Sequence, residues 1–318
     1  MGEVDYESHF ASSVGKQTIT MLMSYHEFGV LSRTFMLKEH AKMLEKIRMR
    51  KGKYQKYTES NLLFLESCVY QELIECLCHL IEDFSTLCYA LWDDLANLPK
   101  RIITPPNLKN ILDKLIDDSH WFTLLRYPDP ASLNFAVDDK AFLTRHYNRN
   151  IDVHRNFVKL LRKFIDIDLY WLFYNKRKHG NTLIYGLEKV EIHGESTILI
   201  PVAYNSKYPD KLKGIPFSYS MYKKNQKLFD TLAILVRDLL MRAILFIERN
   251  GVYVIEHVSY YQMKAEDKAR LTALIQEYDK NVKHSKITVN VKMELDTKYL
   301  DPFYDFYDNF DIGAFNRQ

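Results

Sequence analysis

Apolar side chains recur at helical spacing through most of the chain. Met21, Tyr25, Phe28, Leu31, Phe35, Leu37, Ala41, Leu44 and Ile47 predict a helix over 18–50, broken near Gly29 and stopped at Gly52. A second helix is predicted from a Ser60 cap to about Asn97. Leu62, Leu65, Val69, Leu73, Cys76, Leu77, Leu80, Phe84, Leu87, Cys88, Leu91 and Leu95 form its apolar stripe. The opposite face carries Glu66, Glu72, Glu75, Glu82, Asp83, Asp93 and Asp94 with no Lys or Arg among them. At 1.5 Å per residue such a helix spans roughly 50 Å, so it is the backbone of a bundle.

Pro99, Pro105 and Pro106 predict a loop, and Pro106 opens a short helix, NLKNILDKLIDD, which Trp121 to Leu125 continue. Pro128 and Pro130 stop it, and Asp138 caps a short helix over 139–147. From Ile151 the stripe Phe157, Leu160, Leu161, Phe164 predicts a long amphipathic helix running to a basic exit and Gly180.

After Gly180 the pattern changes. TLIYGLEKVEIHGESTILIPVAY holds short β-branched runs with Gly between them, which predict a hairpin or meander. Residues 223–249 predict a helix ended by Asn250-Gly251, 252–260 a strand, 265–278 a helix and 287–295 an alternating strand. The tail DPFYDFYDNFDIGAF alternates aromatics with Asp. The expected fold is therefore α+β: an all-α bundle over 1–181 followed by a smaller α+β module over 182–318.

Charge sharpens this picture. Arg145 to Asn181 holds nine Lys/Arg against three Asp, +6, whereas the whole chain is only +3. A second basic run, Lys46, Arg48, Arg50, Lys51, Lys53 and Lys56, closes the first helix. It suits either a solvated helix end complementing the dipole or a patch that attracts nucleic acid. The N-terminus is polar and acidic, Tyr6 breaks the myristoylation pattern, and no apolar run approaches a membrane span. The expectation is a cytoplasmic protein. Cys68, Cys76, Cys78 and Cys88 share one predicted helix, which suits buried reduced thiols. Cys76, Cys78 and His79 point to different sides of a helix, so no metal or cofactor is expected. The absence of a phosphate-binding Gly loop, of His-Glu-x-x-His and of a nucleophile elbow argues against ATP-driven and zinc-hydrolase chemistry.

Arg149-Asn150-Ile151-Asp152-Val153-His154 resembles the signature of the HEPN superfamily, an Arg followed four to six residues later by His, with Asn after the Arg. The resemblance implies a small helical bundle over residues 17–181, a motif where a turn enters a late helix, and a homodimer that brings two motifs together. Many such proteins are metal-independent endoribonucleases, so it implies RNA as substrate and a toxin or phage-defence effector restrained by a protein partner or inhibitor. The chemistry is coherent. With the 2′-OH as nucleophile, His154 would move the proton, Arg149 would hold the anionic phosphorane, and Asn150 would position one or the other. Residues five apart on a helix point about 140° apart, so convergence requires Arg149 in the turn before the helix, with Asn150 as cap. Arg145, Arg155, Lys176 and Arg177 would bind RNA.

Tyr174-Asn175-Lys176-Arg177-Lys178-His179-Gly180 resembles the Asn-x-x-Lys-His-Gly ending of divergent bacterial HEPN-like proteins. Asp168 falls on the apolar face with Trp171 and Asn175 and needs a partner, which Arg177 or His179 would supply. Asp168, Asn175, Lys178 and His179 form this second candidate site. A competing expectation is a non-catalytic module in which the same helices only bind RNA or protein.

Overall fold

The computed structural model describes Thr18, Leu22 and residues 24–93, 107–117, 121–167, 169–178, 187–205, 208–248, 255 and 263–280. A π-helical stretch, Tyr25–Leu31, runs into helix α1, Ser32–Arg48. The helix expected to break at Gly29 widens there instead. A Cβ on Gly29 would lie 3.7 Å from the Asp83 carboxylate, to which Tyr25 donates its hydroxyl at 3.2 Å. After a 3₁₀ turn, Gly52–Lys56, comes α2, Glu59–Asp93. Its cap is Thr58 rather than Ser60: Thr58 Oγ1 accepts from the Asn61 amide at 3.3 Å. There follow α3, Leu108–Asp117, α4, Trp121–Leu124, α5, Val137–Ile167, and α6, Leu169–Lys178.

Strands β1, Glu188–Ile192, β2, Glu195–Asn205, and β3, Tyr208–Ser218, make an antiparallel meander in that order. Its first turn is His193-Gly194, both at positive φ (52° and 76°), the backbone that a two-residue hairpin loop demands. The third strand extends beyond the expected meander. Pro209 and Pro216 hide its alternation, and it lies at the sheet edge where proline is tolerated. Helices α7, Tyr219–Glu248, and α8, Ala265–Lys280, complete the described elements. The expected strands over 252–260 and 287–295, the loop prolines Pro99, Pro105 and Pro106, the helix end near Asn97 and the aromatic tail lie outside them. The described residues are thus mainly helical with one small antiparallel sheet, an α+β composition.

Contacts divide the chain into two units that interleave in sequence; the expected boundary at residue 181 lies outside the described residues. One takes the described residues of 1–23, 87–160 and 238–318; the other takes 24–86 and 161–237. The divisions fall inside α2, α5 and α7, so each of these helices contributes to both units. The physical reason is length: helices of 35, 31 and 30 residues carry apolar stripes longer than one core.

In the unit of 24–86 and 161–237, Ile198, Ile200, Ile215 and Phe217 form the buried face of the sheet. Tyr70 stacks on Phe217 with ring centroids 6.2 Å apart, and the Tyr170 hydroxyl donates to the Pro216 carbonyl at 2.9 Å. The acidic face of α2 finds its cations on other elements: Arg48 on Glu66, Arg177 on Glu75, Lys178 on Glu82 and Arg33 on Asp83. In the other unit Leu87, Leu91, Leu112, Leu115, Trp121, Leu143, Val158, Leu239 and Leu271 are buried. Trp121 donates its indole N–H to the Leu115 carbonyl at 2.7 Å, so its ring is buried without losing that bond.

Candidate functional site

The Arg149 motif does not open a helix. No Gly or Pro interrupts 137–167, and Tyr147, Ile151, His154 and Val158 keep to one buried face, so α5 runs unbroken through the expected turn. The separate helix over 139–147 and the Asn150 cap are therefore corrected. Asp138 lies in the first turn of this longer helix, where acidic residues suit the dipole. Asn150 is fully buried and works sideways: its Nδ2 donates to the Tyr127 hydroxyl at 3.1 Å and meets His146 Nε2 at 3.3 Å.

His154 is 1% exposed, and its ring centroid lies 5.1 Å from that of Trp121. Its Nδ1 is 2.6 Å from the Asn150 carbonyl, which can only accept, so Nδ1 carries the proton. Burial holds the imidazole down at about 4, well below its usual 6.5, and the ring is neutral near pH 7. Arg149 lies on the exposed side of the helix, as does Arg145, while Arg155 is half-buried. The expected convergence of Arg149 and His154 is not assembled within this chain. The 140° divergence that a turn was to relieve persists because there is no turn.

At the second candidate site Asp168 and His179 lie outside the described residues. Asn175 is half-buried. Lys178 Nζ is 2.8 Å from both carboxylate oxygens of Glu82. The Tyr174 hydroxyl donates to Glu82 Oε2 at 2.7 Å, which leaves His79 Nδ1, 2.9 Å away, to donate to the phenolic oxygen. Burial lowers the His79 pKa, and Arg33 adds to that; burial also raises Glu75 despite Arg177 beside it. Arg177 further donates to Gln71 at 2.8 Å. These cations hold α6 against the carboxylates of α2. Lys176 is half-buried and Arg177 exposed. The sequence places His79 and Glu82 on α2 and Tyr174 at the head of the second motif, but it does not show that they meet, because the pairs are 95 and 92 residues apart.

The basic run at the end of α1 forms a different kind of site. The Lys51 amide donates to the Lys46 carbonyl at 2.9 Å and the Arg50 amide to Ile47 at 3.1 Å, a helix end normally made with glycine. Here Arg50 takes the left-handed conformation, φ 50°, and Gly52 follows at φ 59°. The strained backbone aims Arg50 at Glu59 across the corner. Arg48 Cζ lies 4.3 Å over the Tyr219 ring, with Nη1 2.6 Å from Glu66, which accepts from Tyr70 as well. Beside them opens a groove of about 400 Å³ whose wall includes Lys189 and Ser196 of the sheet. Tyr54, buried with Ile47 and Leu62, supports exposed Tyr57 edge-to-face at 5.6 Å.

Among the described residues no group of three or more His, Cys, Asp or Glu could hold a metal, and no helix is long and apolar enough to cross a membrane. No protein-family model, curated protein or solved structure matches the chain.

Proposed function

We propose that this chain is a non-catalytic interaction module that binds RNA, and that it does so through the basic corner joining α1 to α2. The observation that carries this reading is the contrast between the two basic regions. At the corner Lys46, Lys51, Lys53 and Lys56 are all exposed; Lys46 acts on Glu39, and Lys51, Lys53 and Lys56 form no ion pair among the described residues. At α6 the cations Arg177 and Lys178 already meet α2 carboxylates. Exposed, unopposed lysines are the sequence-independent part of nucleic-acid binding, because each phosphate they neutralise releases a condensed counterion. The metal-independent ribonuclease reading would need His154 beside Arg149 on one surface, and His154 lies in the core.

The test is incubation with labelled single-stranded RNA in the presence of EDTA, followed by both a cleavage gel and a binding titration. Intact RNA, bound with an affinity that falls steeply with added salt, is the expected outcome. Cleavage that survives the chelator and disappears in His154→Ala would replace this reading with the nuclease.

A further inference from the structure

Resting on that reading, we infer that the corner selects single-stranded over double-stranded RNA, holding phosphates on its lysine ridge while a base stacks on Tyr57 and a neighbouring nucleoside enters the adjoining groove. Residues 46–57 carry six Lys/Arg and no acid; Arg48 and Arg50 pair with Glu66 and Glu59, which leaves the four lysines as the ridge's charge. The lysines alone would bind any polyanion, duplex included.

Two neighbours change the selectivity. The first is Tyr57, 36% exposed within a run of lysines and supported by the buried Tyr54 ring. An aromatic face in such a setting gains from an unstacked base and gains nothing from a duplex, whose bases are covered. Exposed Met49 adds apolar surface on the same corner. The second is the groove. Its wall carries Glu45, Glu59 and Glu66 against Arg48, Arg50 and Lys189, which cancel. A phosphate gains little from a neutral wall. A base edge or ribose, which presents donors and acceptors together, finds partners for both. Arg48, already stacked on Tyr219 and bonded to Glu66, is pre-organised rather than ordered on binding.

The experiment is fluorescence anisotropy with a labelled uridine dodecamer and a duplex of the same length, at several salt concentrations, on the full chain. The single strand is expected to bind more tightly. Tyr57→Ala should weaken it about five-fold or more, with Tyr57→Phe near wild type, because the ring rather than the hydroxyl is used. The triple variant Lys51→Ala, Lys53→Ala, Lys56→Ala should lower the slope of log affinity against log salt by about two. All four positions are exposed, and a circular dichroism melt confirms that each variant folds. Duplex bound as tightly as single strand, with Tyr57→Ala unchanged and the lysine variant weakened, would overturn the inference and leave RNA binding standing. Failure of the wild type to bind either probe at low salt would overturn both.

Discussion

His154 and His146 are neutral rings in one core, their pKa values held down at about 4 by burial, with Arg242 adding to the effect on both. Asp238 and the Asn150 carbonyl act the other way on His154 and are outweighed. The unfolded chain binds protons on these rings below pH 6.5, whereas the folded chain does so only below about 4. Between those values the unfolded state carries more protons, so stability is full above pH 6.5 and is lost as pH falls towards 4. His26 acts in the same direction, lowered to about 4 by burial, and Asp230, raised to about 6 by burial, opposes them. His79, lowered as well, sides with the three histidines and Glu75, raised, with Asp230, so among these groups four against two give the sign. For a ring as buried as His154 the loss is on the order of 3 kcal/mol. The expected outcome is a urea midpoint that drops steeply from pH 6.5 to pH 4.5, with a shallower drop in His154→Phe. A midpoint level across that interval would contradict the burial of these histidines.

At the scale of the element, α5 gives two adjacent residues opposite fates. Asn150→Leu removes the donor to Tyr127 and the contact with His146 inside the core, and is expected to cost about 1–3 kcal/mol in equilibrium unfolding. Arg149→Ala, on the exposed side, is expected to stay within about 0.5 kcal/mol. Equal effects would mean that the helix is rotated from the face described. The long helices were legible because their apolar spacing is local. The continuity of α5 was not, because an Asn before an apolar run looks the same whether it caps or spans, and its use depends on Tyr127, 23 residues away. The last strand was obscured by its prolines, which only an edge position tolerates. Of the candidate site, the lysine ridge could be read as a charge run. The groove beside it could not, because only the fold brings Glu66, Lys189 and Tyr219 to the groove that Arg48 lines.

At the scale of the whole molecule, a fragment ending at residue 181 has neither core intact. It lacks Phe217, against which Tyr70 and Phe173 pack, and it lacks Leu239 and Leu271 from the other unit. Such a fragment is expected to keep helical far-ultraviolet dichroism, lose its near-ultraviolet signal and melt without a cooperative transition. A sharp transition would instead support consecutive domains. The interleaving also gives the cysteines a use. Cys68 is exposed and open to a maleimide in the native protein, whereas Cys76, Cys78 and Cys88 are buried. Burial pushes the Cys76 thiol up to about 12 and the Cys88 thiol well above its ordinary value, so neither reacts until its surroundings open. Cys76 and Cys78 stand on the stretch of α2 belonging to one unit, and Cys88 on the stretch belonging to the other. Mass spectrometry of timed alkylation would therefore clock the opening of each unit separately, on one helix of the unaltered chain.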